Sequence, residues 1–420
     1  MTRDSPFNRL SAAGLSATFV GNGIGRFAFI AMMPALIQSG WFTKGEASYL
    51  SVATLVGYVV GARLTDWLVR YFSVSVLLRG AMLACAFGYL ACAFQGAGMP
   101  WYLLWRTAAG VGGAILMVLT APLVLPQHSP AIRGRVSGVV FSGIGLGAVV
   151  AGATVPLLIG GLGLSVDIAG ERYSLLRFEG VRGAWLGMGA LCLGLTLLAW
   201  RQWPLAGGSE RAATSTSAPK QVLPPQLRVV LVLLLAAYTL NAVGYLPHTL
   251  FWVDYIVREL HMPLATGGFF WAVFGVGAAI GPLLMGTLAD VFGLRRCLLA
   301  GFFLKAVGVV LPVFGSHPSV LFASSLLVGI FTPGVVALVS AYALECLGAE
   351  FHRKAWGMLT MSFAASQAGV GIVMASVAAR LDSYEPLFIF SSVALLVSVA
   401  CIAFIEKPKP AIQDPQALIA

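Results

Sequence analysis

The sequence contains few charged residues: 10% of its 420 side chains are Asp, Glu, Lys or Arg, whereas 59% are hydrophobic. Soluble domains carry about 25% charged residues, so this shortage excludes a soluble globular protein. The mean hydropathy of +0.89 leads to the same conclusion. The scarcity of charge therefore predicts an integral membrane protein that lies in a lipid bilayer.

The residue patterns that usually carry catalytic chemistry are also missing. The sequence has no nucleotide-binding loop, no metal-ligand cluster and no nucleophile–base pair, so we expect neither an enzyme nor a cofactor. Its six cysteines lack metal-ligand spacing and are interpreted as small packing residues. The net charge is +10, but the basic residues form no patch interleaved with aromatic side chains, so nucleic acid is not an expected partner.

Long apolar runs account for most of the chain. A helix of about 20 apolar residues crosses a bilayer, and twelve runs approach or exceed this length. They predict an all-α membrane protein with twelve transmembrane helices and no separate soluble domain. The runs are 14–37, 47–69, 76–96, 100–125, 136–163, 183–200, 229–256, 267–289, 297–315, 319–345, 355–379 and 386–405.

The basic residues between these runs predict the orientation. When both termini are placed in the cytoplasm, most Lys and Arg residues fall on the inner side, as the positive-inside rule requires. We therefore predict a multi-pass membrane protein with both termini in the cytoplasm. The exceptions are six outer residues, Lys44, Arg172, Arg177, Arg182, Arg258 and Arg380, and three residues deep within helices, Arg26, Arg106 and Lys305.

A polar stretch at 204–226, rich in Pro, Gly, Ser and Thr, separates the helices into two groups of six. It predicts a flexible cytoplasmic linker between an N-terminal bundle, 1–203, and a C-terminal bundle with a short tail, 227–420. The two halves also repeat with an offset of about 219 residues, because several glycines and Asn22 meet identical residues at that shift. Such a parallel repeat predicts a substrate site between the bundles near the bilayer midplane.

Arg26 and Arg106 lie within apolar runs. A charge at the bilayer centre costs about 2.5–3.5 kcal/mol on insertion scales, so it usually faces a partner or a water-filled cavity. The repeat places Tyr245 and Ser325 at the matching positions, so the scaffold does not require a cation there. We expect both guanidinium groups to line the central pocket and hold an anionic ligand. Alternatively, Arg26 binds helix carbonyls and Arg106 crosslinks helix 4.

Several neutral residues are candidate ligands of the same substrate. Tyr245 and His248 are three residues apart, which places them on one face of a continuous helix. His248 can exchange a proton near neutral pH, although a single histidine is often only a packed residue. Asn22, Asn241 and Gln367 can orient a ligand or join helices. No Asp or Glu is expected near the midplane of helices 1, 4, 7 or 10, and Asp254 is expected near the outer end of helix 7.

Two motifs indicate a known superfamily. The run from Gly286 to Arg296, GTLADVFGLRR, matches the loop G-x-L-A-D-x-x-G-x-[RK]-[RK] of the major facilitator superfamily. An incomplete copy of this motif lies between helices 2 and 3. The run Arg106 to Ala114 resembles the fourth-helix pattern of that superfamily. The resemblance implies two pseudo-symmetric six-helix bundles, a role for Arg106 in proton coupling or anion binding, and a peripheral helix 9 on which Lys305 snorkels to the interface.

Shorter motifs resemble a narrower group. The segment Gly23 to Phe29, with Pro34 after it, and the segment Gly244 to His248 are similar to those of the YbfB/YjiJ family of bacterial transporters. The substrates of that family are largely undefined, so this resemblance does not select a cargo.

The loop motif also predicts a gate on the cytoplasmic side. Asp290 can pair with Arg295 and Arg296, and Asp66 with Arg70 can act similarly in the first half. These contacts are expected to hold the cytoplasmic side shut and to break when it opens. The alternative is that these arginines only anchor loops at the anionic inner leaflet.

These observations favour a secondary transporter that works by alternating access. The expected cargo is a small organic anion resembling a carboxylate, with coupling to protons through Arg106 or His248, or by anion exchange. The protein is expected to act as a monomer. One alternative is an exporter of hydrophobic or amphipathic compounds, and another is a membrane sensor or scaffold that transports nothing.

Overall fold

The computed structural model describes residues 5–129, 132–168, 171–204 and 224–405, with backbone only at 162–178, 226, 349, 350 and 353. Twelve helices in these ranges are long and apolar enough to cross a membrane, as predicted. Their bounds are α1 Arg9–Gln38, α2 Lys44–Leu68, α3 Val74–Cys92, α4 Met99–Gln127, α5 Arg133–Gly161, α6 Gly180–Ala199, α7 Pro225–Gly244, α8 Leu264–Phe292, α9 Leu294–Phe314, α10 Pro318–Gly348, α11 Lys354–Ala378 and α12 Glu385–Ala403.

The helices form two bundles of six, α1–α6 and α7–α12. Most of the predicted linker, 205–223, and the tail after Ile405 lie outside the described residues. Equivalent glycines let helices approach closely in each bundle. The Cα of Gly110 on α4 faces the α2 backbone at Thr54, and that of Gly329 on α10 faces the α8 backbone at Phe274. Small residues allow this because a larger side chain would separate the two backbones.

The first helix of each bundle is irregular at matching positions. In α1, residues Phe19–Ile24 form a widened π-helical turn that ends at Gly25. In the second bundle, α7 ends at Gly244, which lies 219 residues after Gly25, and Tyr245 leaves the helical region at φ −118° and ψ 7°. The chain then continues as short helical pieces, Leu246–Leu250, Trp252–Asp254 and Tyr255–Glu259. The sequence predicted one continuous helix over 229–256, and this was wrong beyond Gly244.

The two ends of the molecule differ in their loops, and each end takes its name from one of them. A two-stranded antiparallel hairpin, β1 Leu162–Ile168 and β2 Glu171–Phe178, joins α5 to α6 and marks the hairpin face. The sequence did not predict these strands. The α8–α9 connection lies at the opposite end, the motif face. There Gly293 has a φ of 86°, a left-handed conformation that favours glycine.

The two bundles contact each other toward the hairpin face. On α5 and α8, the Cα positions of Gly152 and Gly268 approach each other's backbones closely. On α2 and α11, the Tyr49 hydroxyl lies 2.9 Å from Ser376 Oγ, and Lys44 Nζ donates to the carbonyl of Leu381 at 2.8 Å. Since the α1–α2 and α11–α12 loops also meet here, the hairpin face is closed.

Candidate functional site

Arg26 lies on α1 where the two bundles meet. The side chain of its neighbour Phe27 contacts the second bundle, with ring centroids 5.5 Å from Trp271 and 6.0 Å from Phe274. Arg26 itself is half-buried, and its Nη2 is buried without a hydrogen-bond partner. A buried donor with no acceptor costs about 1–3 kcal/mol or more when charged. The guanidinium therefore has an unused donor at the boundary between the bundles.

Tyr58 connects this charge to the second bundle. The Tyr58 hydroxyl on α2 interacts electrostatically with Arg26 and with Tyr245 of the second bundle. Tyr245 is buried, and its hydroxyl accepts a hydrogen bond from Gln367 Nε2 on α11. Its ring stacks on Phe363 at 6.1 Å between centroids. The predicted residues Arg26, Tyr245 and Gln367 therefore lie in one region, with Tyr58 between them.

Lys305 belongs to the same region, which the sequence did not predict. It was expected to snorkel from a peripheral helix, but its side chain is fully buried. Its Nζ donates to Asn241 Oδ1 at 2.9 Å and lies 4.2 Å from the centre of the Tyr245 ring. The side chain points into the bundle, where the Asn241 amide and the Tyr245 ring are its partners. The snorkelling expectation was wrong.

Arg106 does not face the space between the bundles, contrary to the expectation. It is 2% exposed, and its Nη1 donates to the carbonyl of Gly25 at 3.2 Å. The guanidinium carbon lies 4.5 Å from the Phe29 ring centre and 5.6 Å from that of Tyr89. Tyr89 itself donates to the carbonyl of Ile24 at 2.6 Å. Arg106 and Tyr89 thus hold the end of the π-helical turn, which corresponds to the crosslink alternative.

His248 also points away from Arg26. It is fully buried, its Nε2 lies 2.8 Å from Ser324 Oγ on α10, and its ring stacks on Trp252 at 4.3 Å. Ser324 uses its own hydrogen to bind the carbonyl of Gly308, so the imidazole is the donor of the shared bond. The spacing argument that put Tyr245 and His248 on one face fails because the helix is interrupted at Tyr245.

The remaining predicted residues lie in two places. Asn22 Nδ2 donates to the carbonyl of Gly113 on α4 at 3.3 Å, so it joins helices within the first bundle. Asp66, Arg70, Asp290 and Arg296 are exposed near the motif face. Among the described residues Asp290 forms no ion pair, and Arg295 instead donates to the carbonyl of Ala403 at 2.7 Å. The predicted pairing is therefore not formed in this conformation.

Sequence reasoning missed Tyr58 and Lys305 as members of the site. The sequence offers only a weak signal for Tyr58, because an aromatic residue in an apolar run is normally a packing residue. Lys305 had a stronger signal, since a lysine in the middle of an apolar run is expensive unless it has a polar partner. Among the described residues, no group of acidic, His and Cys side chains could hold a metal ion.

Comparisons with known proteins agree with this fold. The family model described as "Uncharacterised MFS-type transporter YbfB" matches residues 18–403. Multidrug resistance protein 2 of Bacillus subtilis (strain 168) is 24% identical over 161 residues, 38% of this chain and 39% of that protein. Multidrug resistance protein 1 of the same organism is 26% identical over 157 residues, 37% of this chain and 39% of that protein. The matched segments thus span well under half of these relatives.

Solved structures are similar along nearly the whole chain. The crystal structure of a D-xylose-proton symporter superposes with a TM-score of 0.69 at 13% identity, covering 95% of this chain and 97% of that one. A bacterial homolog of the human lysosomal transporter Spinster, inward-facing and occupied, has the same TM-score and coverage at 16% identity. At such low identity these similarities show the fold alone.

Proposed function

Because this chain belongs to the YbfB family of major facilitator superfamily transporters, we propose that it carries a small organic anion across the membrane by alternating access. The cargo binds between the bundles and is held by Arg26, and Tyr58, Tyr245 and Gln367 orient it. Transport is secondary, driven by protons or by exchange for another anion.

The unpartnered Nη2 of Arg26 is the observation that carries this proposal. A carboxylate accepts two parallel hydrogen bonds from a guanidinium group, which matches both its shape and its charge. Arg26 lies on the wall that faces the second bundle, and its electrostatic neighbour Tyr58 also interacts with Tyr245. An anion at this position would therefore contact both bundles, as alternating access requires.

The charge balance of the helices supports an anion rather than a cation. The acidic residues of the twelve spans, Glu46, Asp66, Asp290, Glu345 and Glu385, lie within the first or last four residues of their helices. The central parts of the spans instead contain Arg26, Arg106 and Lys305. Of these three, Arg26 lies where the bundles meet, and its positive charge attracts an anion and repels a cation.

Lys305 adds to this field from the second bundle. Its ammonium contacts Asn241 and the Tyr245 ring, so it acts on the cargo through these two side chains. His248 and Arg106 remain proposed participants in proton coupling. Each would act through its bundle, because neither faces Arg26. Asn22 contributes by holding α1 against α4.

The test is a binding screen followed by transport. Purified protein is heated with mono-, di- and tricarboxylates, inorganic phosphate, sulfonates, and neutral or cationic amphipaths, since a specific ligand raises the melting temperature by mass action. The best anion is then used in counterflow with reconstituted vesicles. We expect Arg26→Gln to abolish counterflow, and the exposed Arg201→Gln to leave it unchanged. Full anion affinity in Arg26→Gln would refute the proposal.

A second candidate function is export of hydrophobic or amphipathic compounds. The observation that favours it is the similarity to two proteins named for multidrug resistance, although it covers less than half of each chain. The same screen separates the two functions. Stabilisation by amphipaths that persists in Arg26→Gln would support the exporter.

We also propose that the protein is a monomer in a bacterial inner membrane. Its motif face and both termini lie on the cytoplasmic side. Asp66, Arg70, Asp290, Arg295 and Arg296 would then close the cytoplasmic entrance in the opposite conformation. A cysteine introduced at Ser39, an exposed residue of the hairpin face, should react with an impermeant maleimide in intact cells. Reaction only after lysis would reverse the orientation.

A further inference from the structure

Asp254 is an acidic side chain buried inside the second bundle. Its residue is 0% exposed, and its Oδ1 has no hydrogen-bond partner. Its Oδ2 accepts a bond of 2.5 Å from the Tyr384 hydroxyl and lies 3.7 Å from Arg258 Nη1, one turn later. Burial disfavours the charged form of a carboxyl group, whereas these two contacts favour it. The protonation of Asp254 therefore depends on a balance between its neighbours.

One of these neighbours belongs to the other bundle. Lys44 begins α2, and its Nζ lies 4.2 Å above the ring of Tyr384, whose hydroxyl binds Asp254. Lys44 also donates to the carbonyl of Leu381 and interacts electrostatically with Asp254, Glu259 and Asp382. A continuous set of contacts therefore runs from the first bundle to the buried carboxyl group. It exists only while the hairpin face is closed.

An open pocket on the hairpin face lies one side chain away from this carboxyl group. The pocket has a volume of about 560 Å³ and is lined by Gln38 of the first bundle and by a segment of the second bundle that includes Arg258. Arg258 is 27% exposed and lies beside Asp254, which is itself fully buried. Arg258 therefore separates the carboxyl group from the solvent of the hairpin face.

We propose that Asp254 is the proton-binding residue that couples this transporter to the proton gradient, and that Lys44 makes its protonation depend on the conformation. This coupling role rests on the proposed function as a secondary transporter.

The physical argument follows from the groups around the carboxyl. In the closed state, Lys44, Arg258 and the Tyr384 hydroxyl favour the carboxylate, and Glu259 opposes them. When the hairpin face opens, Lys44 moves away with its bundle, whereas the other three groups stay. Burial is already the largest influence on Asp254 in the closed state, and the loss of Lys44 takes one stabilising neighbour from the carboxylate, so the carboxyl group then binds a proton from the water of that face more firmly. The open state binds the additional proton and is therefore favoured as pH falls.

The experiment measures conformation and needs no substrate. Spin labels on cysteines placed at Ser39 and Arg380, which are exposed residues of different bundles, report the width of the hairpin face by electron paramagnetic resonance. Cys401 is replaced by serine, because the other five cysteines are buried. Wild-type protein in nanodiscs should shift toward the longer distance between pH 8 and pH 5, since one linked proton changes a population ratio by up to about tenfold per pH unit.

Three variants test the assignment. Asp254→Asn imitates the protonated state and should show the long distance at every pH. Lys44→Met removes the positive charge that favours the carboxylate only in the closed state. This variant should therefore show no pH response. Asp382→Asn, an acidic neighbour of Lys44 outside the bundle interior, should respond like the wild type. A wild type without a pH response, or a normal response in Asp254→Asn, would overturn the proposal. Failure of anion counterflow would overturn only the cargo, because the distances are measured without it.

Discussion

Arg26 and Arg106 carry the same charge on neighbouring helices, but their surroundings differ. Arg106 is enclosed by the carbonyl of Gly25 and the rings of Phe29 and Tyr89, whereas Arg26 has an unpartnered nitrogen at the bundle boundary. Arg106 Nε also lacks a hydrogen-bond partner, but its Nη1 is bonded, so removal of this guanidinium leaves the carbonyl of Gly25 without its donor in an apolar interior. The same change at Arg26 removes a nitrogen that has no hydrogen-bond partner, so no hydrogen bond of that nitrogen is lost.

We therefore expect opposite effects on stability and on binding. Arg106→Gln should lower the free energy of unfolding by about 2 kcal/mol, the typical value for a hydrogen bond to a charged group. Arg26→Gln should not lower it, because the guanidinium nitrogen that is lost has no partner and is itself costly to bury, while the change abolishes anion binding. Chemical unfolding in detergent compares the two variants. Equal destabilisation would contradict the division of roles.

Lys305 is a buried cation whose direct partner is an amide and not a carboxylate. Lys305→Met keeps most of the side-chain volume and removes the charge. The change leaves Asn241 Oδ1 without its donor, but it also removes a basic group from an apolar interior. Since these two effects oppose each other, we expect a melting temperature close to that of the wild type. The affinity for the transported anion should fall by about tenfold, equal to about 1.4 kcal/mol. Calorimetry measures it, with the exposed Lys354→Met as the control. An unchanged affinity would limit Lys305 to a structural role.

At this scale the sequence predicted the types of residue better than their surroundings. It located Arg26, Tyr245 and Gln367, because polar residues in apolar runs are rare and informative. It could not separate Arg26 from Arg106, since the direction of a long side chain depends on the rotation of its helix. The position of Lys305 depended on its contacts with Asn241 and Tyr245 of another helix, which no spacing rule predicted.

At the scale of helices, the contact between α5 and α8 controls how closely the bundles approach. A Cβ atom added at Gly152 would lie 2.8 Å from the backbone nitrogen of Ala272. Backbone atoms cannot move aside as a flexible side chain can, so the two helices would have to separate. Gly160 lies further along α5, and a Cβ there would meet nothing within 4 Å.

Gly152→Ala should therefore disfavour the closed hairpin face, and Gly160→Ala should not. Both changes add the same helix propensity, so the comparison isolates the contact between the bundles. We expect the Ser39–Arg380 label distance to lengthen in Gly152→Ala at pH 8. If both variants keep the short distance, the contact at Gly152 does not determine closure.

The sequence predicted all twelve helices because a lipid environment demands long apolar runs. It failed where helices are interrupted. The π-helical turn of α1 and the end of α7 at Gly244 are held by contacts between helices, such as Arg106 with Gly25. Tertiary contacts of this kind are invisible in the local periodicity from which helices are predicted. No element was predicted between the runs 136–163 and 183–200, so the β1–β2 hairpin was missed.

At the scale of the whole molecule, the two faces differ in their contacts. The hairpin face is closed by contacts from Lys44 and Tyr49, while the acidic residue of the motif, Asp290, has no ion-pair partner among the described residues. Rocking between the bundles requires that contacts at one face form as those at the other break. The unpaired state of Asp290 is therefore what this mechanism expects when the hairpin face is shut.

This relation predicts opposite effects for two carboxyl groups at the two faces. Asp290→Asn should weaken the closed motif face, which forms when the hairpin face opens, so the Ser39–Arg380 labels should keep the short distance even at pH 5. Asp254→Asn should give the long distance at pH 8. Because the two residues act on one equilibrium from separate faces, their effects on its free energy should add in the double variant. Its distance distribution should lie between those of the single variants at both pH values. If Asp290→Asn instead lengthens the distance, the motif does not close its own face, and it only anchors the α8–α9 loop.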